Sequence, residues 1–348
     1  MQKKQIFKSA SGVIIRGEGR DEWNRRYFKF FVRGTEVNIP PFSAEEIIKS
    51  PNSLFVELSN TGASVFSASA RNQLLRQLDE RKPEAPKFKV VARLGWNSGA
   101  FVLPDKIIGQ PKDRLEPSFR HLDQPLLAKY RVKGTLKEWQ TKIGKLCRGN
   151  SRLMFCASLG LTGPILPLVN GPRSGGFQLF GPAESGKTAA AMVTGSIWGC
   201  HRAPERRENG FAENWHTTAN KVEITALAHN ETVLILDETR RAGHTPKERA
   251  QVVLDVSFNL AENVEKDRLT NIGSIRGWRL YFLSTSNYSL DQLAHQGSSK
   301  LMMLNGVGLL TFRLRLRAMA STRTCISFPT ARNSPTLLKS AAENSAGR

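Results

Sequence analysis

Residues 181–188 read Gly-Pro-Ala-Glu-Ser-Gly-Lys-Thr, which satisfies the pattern G-x-x-x-x-G-K-[ST] between an apolar run and a helical one. Such a loop constrains the fold strongly, because it needs a strand to enter it and a helix to leave it. Gly181 and Gly186 let the backbone curl so that successive N–H groups converge on phosphate oxygens. Pro182, Ala183, Glu184 and Ser185 form the crown of the loop. Lys187 is suited to reach β- and γ-phosphates, and the Thr188 hydroxyl to ligand Mg²⁺. Gly176–Phe180 reads as the incoming strand and Lys187–Trp198 as the outgoing helix, whose N-terminus turns its positive dipole to the nucleotide. ATP with Mg²⁺ is therefore the expected cofactor.

A second element belongs with this loop. Thr232–Glu238 (TVLILDE) is a buried-strand run ending in two acids, 50 residues after Lys187 counted to Asp237. It is expected to pack in the sheet centre beside the first strand, with Asp237 joining the metal shell and Glu238 polarising the attacking water as general base. A third strand, Arg279–Asn287, ends in a polar cluster. Thr285, Ser286 and Asn287 are candidates for a γ-phosphate sensor, and the sequence does not rank them. Among Arg240, Arg241, Arg268, Arg276 and Arg279, one could act in trans across a ring interface, and none is singled out.

The order along the chain is strand, loop, helix, helix, strand, helix, strand, which predicts a mostly parallel sheet covered on both faces. The expected fold is α/β: a P-loop NTPase of the additional-strand, catalytic-glutamate type preceded by a small α+β domain. The boundaries read as 1–120 for the N-terminal domain, 121–172 for a basic helical connector, 173–300 for the ATPase core and 301–348 for a basic tail. In the first domain, Tyr27–Val32, Glu36–Ile39, Leu54–Leu58, Phe88–Ala92 and Ala100–Leu103 read as strands. Ser43–Lys49 and Ala68–Glu80 read as helices, the former with a Ser43/Glu46 capping box. That domain holds no cluster of histidines, cysteines or carboxylates, so no chemistry is assigned to it.

In the connector, Thr135 and Glu138 form a second capping box, and Leu136, Trp139, Ile143 and Leu146 share one helical face. Between residues 129 and 148 there are seven basic residues and one acid. Two readings stand for them: a nucleic-acid contact or a solvated helix face. The formal net charge of +21 favours a polyanionic partner or a lineage of basic composition. From Gln292 to Ala342 there are seven Lys or Arg and no Asp or Glu. This end reads either as a nucleic-acid-binding tail or as the product of a frame shift near residue 300.

No secretory signal follows the basic start, and the uncharged stretch Leu153–Pro172 carries too many Gly, Pro, Ser and Thr residues for a membrane span. It reads as a buried helix leading into the phosphate loop. Four cysteines (147, 156, 200, 325) without a C-x-x-C pair fit reduced thiols, neither a zinc site nor a disulfide framework. A cytoplasmic protein without a membrane partner is expected.

Several blocks together resemble a known family. Leu94-Gly-Trp-Asn-Ser-Gly-Ala-Phe-Val-Leu-Pro104 with Ile108-Gly109, the run Gly175–Thr188 with Ser196-Ile-Trp-Gly199, Trp215–Asn220, Glu223 and Ala228-His-Asn230 are similar in order to domain-of-unknown-function 927, a bacterial and mobile-element family described as helicase-like. The resemblance covers about residues 25–290. It implies an ATPase associated with plasmid, phage or integrative-element DNA. Together with the loop and the two acids, the reading expected is a motor-like ATPase acting on nucleic acid, single-stranded DNA in the first instance, as a homo-oligomeric ring. The alternatives are a slow ATP-dependent switch or scaffold and a truncated, inactive helicase derivative. The chain departs from the pattern at Ala183-Glu184, where small hydroxyl residues are usual, and at the Ser-Asn end of the third strand, where Gly-Glu is expected. The family's C-terminal portion is not recognisable after about 300.

Overall fold

Eight residues from Val13 to Arg20 form β1 although Gly17 and Gly19 interrupt the run. Gly19 is required there: a Cβ would lie 2.1 Å from the Phe88 ring across the sheet. The computed structural model describes residues 12–81, 86–171, 174–199, 210–215, 219–262, 277–296 and 309–313. These fall into two compact units. The first comprises 1–93, 97–99 and 110–121, and the second 94–96, 100–109 and 122–348.

In the first unit β1 is followed by β2 (Arg26–Val32), β3 (Phe42–Ser43), α1 (Ala44–Lys49), α2 (Pro51–Asn60), α3 (Ala68–Asp79) and β4 (Phe88–Val91). A separate three-stranded sheet, most of whose residues belong to the second unit, comprises β5 (Gly95–Asn97), β6 (Ala100–Val102) and β7 (Ile107–Gly109). β8 (Leu115–Pro117) then completes a five-stranded mixed sheet in the order β3-β2-β1-β4-β8. Phe28, Phe30 and Val32 of β2 share a core with Phe42, Leu54, Leu58 and Leu74.

Two of the expected strands are corrected. Glu36–Ile39 forms no strand. Leu54–Leu58 lies inside α2, where Leu54, Phe55 and Leu58 are buried on one face and Pro51 occupies the first turn. A run of five mostly apolar residues fits either period, and the proline start with one-sided burial decides for the helix. At α1, Ser43 accepts from Glu46 N at 3.0 Å, while the Glu46 carboxylate binds Arg120.

The second unit continues with α4 (Gln124–Leu127), α5 (Leu136–Trp139), a π-turn at Gln140–Gly144, α6 (Lys145–Cys147), α7 (Ser151–Leu161) and a 3₁₀ segment at Gly163–Leu168. The capping box at Thr135 is complete. Ile143 and Cys147, four residues apart on one side, are buried, while Leu136 and Leu146 are exposed.

The core sheet contains β9 (Gly175–Phe180), β10 (Glu213–Asn214), β11 (Val233–Asp237), β12 (Tyr281–Ser286) and β13 (Leu309–Arg313). Its order is β10-β11-β12-β9-β13, and every neighbouring pair is parallel. Helices α8 (Lys187–Gly195), α9 (Ala219–Leu227), α10 (Pro246–Glu262) and α11 (Leu290–Gln296) connect or follow the strands. One expectation changes here: β11 does not adjoin β9, because β12 lies between them. Leu309–Arg313, from within the stretch read as a tail, pairs with β9 in the register Leu309 to Gly176. The rest of 301–348, the basic segment His201–Asn209, Cys200, Arg268 and Arg276 lie outside the described residues.

Among the described residues no helix is long and apolar enough to cross a membrane. Cys147 and Cys156 are free and buried, and burial pushes the Cys156 thiol up to about 12.

Candidate functional site

Because β9, β11 and β12 run parallel, their C-terminal ends open on the same edge of the sheet, where open α/β sheets bind ligands. The turn from β9 into α8 carries Gly181 through Thr188. Gly186 has φ 86° at the start of α8, a conformation that glycine adopts at little cost. Glu184 is also left-handed, with φ 58°, and it is exposed, so its carboxylate is solvated at the crown of the loop. Pro182 and Ala183 are exposed beside it, and Ser185 is half-buried.

Lys187 is buried inside this turn. Its Nζ donates to Pro182 O at 2.7 Å and Gly181 O at 3.0 Å, and lies 3.4 Å from Ser185 Oγ. Desolvation lowers its pKa, while Glu238 and Asp237 act the other way. The ammonium is thus held by two carbonyls of the loop itself.

Thr188 Oγ1 lies 3.4 Å from Asp237 Oδ2, which joins the loop to the end of β11. Asp237 is buried, and desolvation raises its pKa against the hydrogen bonds from Thr285 and Thr188. Thr285 Oγ1 donates to Asp237 Oδ1 at 2.5 Å and accepts from Glu238 N at 2.9 Å. Trp215 adds support from β10's side: its N donates to Asp237 O at 3.2 Å and its Nε1 to Ser284 Oγ at 3.1 Å.

Glu238 stands one residue past the strand with φ 65° and caps the 3₁₀ turn Thr239–Arg241. Burial raises its pKa, but the hydrogen bonds and charge of Arg240 outweigh this and the net shift is downward. Arg240 reaches Glu238 Oε1 from Nε at 3.0 Å and Oε2 from Nη2 at 3.1 Å.

The three sensor candidates separate. Thr285 enters the site through Asp237 and Glu238 N. Ser286 Oγ accepts from Thr239 Oγ1 at 2.7 Å and from Tyr288 N at 3.1 Å, bracing the turn after β11. Asn287 is half-buried just beyond the strand. Arg279 precedes the N-terminal end of β12, away from this edge, with Nη1 3.6 Å from Glu231 Oε1. Sequence reasoning missed the contacts of Trp215, Thr239 and the pairing of Arg240 with Glu238, since a contact between strand ends has no local signature.

The hallmark Leu94-Gly-Trp96 meets the segment just before β11. Asn230 Nδ2 donates to Leu94 O at 2.6 Å and Trp96 N donates to Glu231 Oε2 at 2.7 Å. Asn230 Oδ1 also accepts from Arg279 N at 2.9 Å. Gly95, with φ 104°, lies where a Cβ would meet the Glu231 carboxylate at 2.3 Å. These blocks fasten the core together and do not line the loop.

The chain matches the family Domain of unknown function (DUF927) over residues 2–279 and belongs to it. A solved structure described as "SCCmec type IV Cch - active helicase" superposes with a TM-score of 0.61 at 17% identity. The alignment covers 88% of this chain and 55% of that one, so the chain spans about half the length of that structure and shares its fold over that part. NtrX from Brucella abortus in complex with ATP aligns with a TM-score of only 0.28 at 13% identity, over 78% of this chain and 54% of that one, too low to imply a shared fold. None of the curated proteins matches the chain.

Proposed function

We propose that the chain is a Mg²⁺-ATP-dependent, helicase-like P-loop ATPase acting on DNA of mobile elements, as a homo-oligomeric ring in the cytoplasm. The observation that carries this reading is the meeting of Lys187, Thr188, Asp237 and Glu238 on one sheet edge, with Asp237 Oδ2 3.4 Å from Thr188 Oγ1. The extra strand β12 between β9 and β11 supports the additional-strand, catalytic-glutamate subtype.

The residues present suit nucleotide and metal. Backbone N–H groups of the turn and the Lys187 ammonium provide a cradle for phosphate oxygens. Thr188 and Asp237 are hard oxygen donors of the kind Mg²⁺ prefers. Magnesium-bound ATP would supply the phosphoryl group and a divalent charge to offset its oxygens. Glu238 holds and polarises water, and Thr285 orients the Asp237–Glu238 pair.

A Lys187→Ala variant, checked for an unchanged melting profile, is expected to lose ATP hydrolysis. Undiminished turnover in it would overturn the assignment. Addition of single-stranded DNA to the unmodified protein is expected to stimulate turnover, and mass photometry with and without ATP reads the ring.

A second reading is favoured by one contact. Arg240 engages both oxygens of Glu238, which would slow hydrolysis and suit a nucleotide-dependent switch. Under it, DNA leaves the rate unchanged while ATP alters the oligomer or partner affinity.

A further inference from the structure

The segment 131–148 of the second unit presents one strongly cationic face. From Leu136 to Cys147 the helix is continuous through its π-turn, with Ile143 and Cys147 buried and Trp139 half-buried on the inner side. Lys137, Lys145 and Arg148 are exposed, as are Arg131 and Lys133 before the helix. Among the described residues none of these five is paired with a carboxylate. Arg131 uses Nε on Ala128 O, which leaves its terminal nitrogens to solvent. The acid of the segment, Glu138, is engaged by Thr135 and lies 3.7 Å from Lys142. Exposed Val132, Leu136 and Leu146 lie among the cations and offer apolar contact area.

A solvated helix face in a folded protein ordinarily mixes both signs, since like charges at short spacing repel. From 131 to 148 a single acid, Glu138, stands against six basic residues, and a polyanion would supply the balance.

The segment is also fixed to the nucleotide-loop helix. Trp139 Nε1 donates to Ser196 Oγ at 2.9 Å, and Ser196 caps the C-terminus of α8, whose first residue is Lys187. Tyr130 bridges Gly199 in antiparallel fashion just beyond. A nine-residue helix, about 14 Å long, therefore separates the cationic face from the phosphate loop.

We infer that this face, formed by Arg131, Lys133, Lys137, Lys145 and Arg148, contacts the phosphate backbone of single-stranded DNA. The inference rests on the nucleic-acid reading above and names its surface.

The test compares three full-length proteins for binding of fluorescein-labelled oligothymidylate by anisotropy over a range of salt. One is unmodified, one carries Lys137→Gln, Lys145→Gln and Arg148→Gln, and one carries Arg33→Gln, Lys112→Gln and Lys247→Gln as a control of equal charge loss. The face variant is expected to bind roughly an order of magnitude more weakly, with the slope of log K against log salt reduced by about 2 for three lost contacts. Its basal ATPase rate and melting profile stay unchanged. Equal weakening in the control and face variants would overturn the inference, because diffuse charge and not this face would then hold the strand. Unaltered binding by the face variant overturns it as well. Failure of the unmodified protein to bind the oligonucleotide at low salt instead removes the nucleic-acid reading on which it rests.

Discussion

Thr285 Oγ1 donates to Asp237 Oδ1 at 2.5 Å and accepts from Glu238 N at 2.9 Å, so one hydroxyl on β12 orients both acids at the end of β11. This is possible because β12 lies directly against β11, with Leu236 paired to Ser284. A Thr285→Val variant keeps the shape and loses both bonds. Leaving Asp237 and Glu238 N without that partner should cost about 1–3 kcal/mol in stability. It should also raise the Asp237 pKa further, since the Thr285 bond now lowers it. The acid limb of the ATPase pH profile is then expected to move to higher pH. An unmoved profile with normal turnover would remove Thr285 from the site.

Arg240 and Glu238 form a pair in which Arg240 is mostly exposed, so its contribution to stability should be under about 1 kcal/mol. Its effect on chemistry is expected to be larger. In Arg240→Gln the Glu238 carboxyl loses the group that lowers its pKa and becomes free to engage water. Basal hydrolysis should rise several-fold without DNA, read by phosphate release. A loss of activity would mean instead that Arg240 serves the transition state.

His229 is fully buried against Tyr130 and Phe211, with Nδ1 2.8 Å from Thr225 O. Desolvation lowers its pKa; the Thr225 contact and Glu213 oppose this, and Lys129 adds to it. The unfolded chain therefore binds a proton that the folded chain refuses. Stability is complete above the unfolded value of ~6.5 and falls as the pH drops below it, by up to ~1.4 kcal/mol per pH unit. Comparison of urea unfolding for His229→Gln and the unmodified protein from neutral to mildly acidic pH should show a shallower loss in the variant. Parallel curves would contradict the assignment.

Gly95 is expected to tolerate no side chain. Its φ of 104° is costly for any L-residue, and an added Cβ would meet Glu231 at 2.3 Å. Gly95→Ala should destabilise the second unit by about 1–3 kcal/mol, measured as a shift in thermal midpoint. A neutral effect would mean that the Trp96–Glu231 contact is not a fastening point.

The loop at 181–188 was legible because its requirements are local: glycines for the curl, lysine and threonine at fixed offsets, a strand before and a helix after. Asp237 and Glu238 were legible because a buried strand ending in two acids has its own pattern. The phase of the connector was not, because 146 and 147 both lie one turn from Ile143 and only packing decides that Cys147 is buried and Leu146 exposed. Leu54–Leu58 hides its helix for a related reason, a short apolar run having no period of its own. β1 is hidden in the sequence because its glycines resemble turn residues, whereas Gly19 is there to admit the Phe88 ring.

The sequence by itself determined the phosphate loop, the acids that belong with it and the family. Each is written in residue types at short, fixed spacing, where backbone sterics and charge act between near neighbours. The tertiary structure alone decided that β12 separates β9 from β11, that Thr285 and not Ser286 bonds both acids, that Arg240 holds Glu238, and that Leu309–Arg313 edges the core sheet. Lateral strand order and side-chain pairing across it follow from packing between segments distant in the chain. No local pattern encodes that packing.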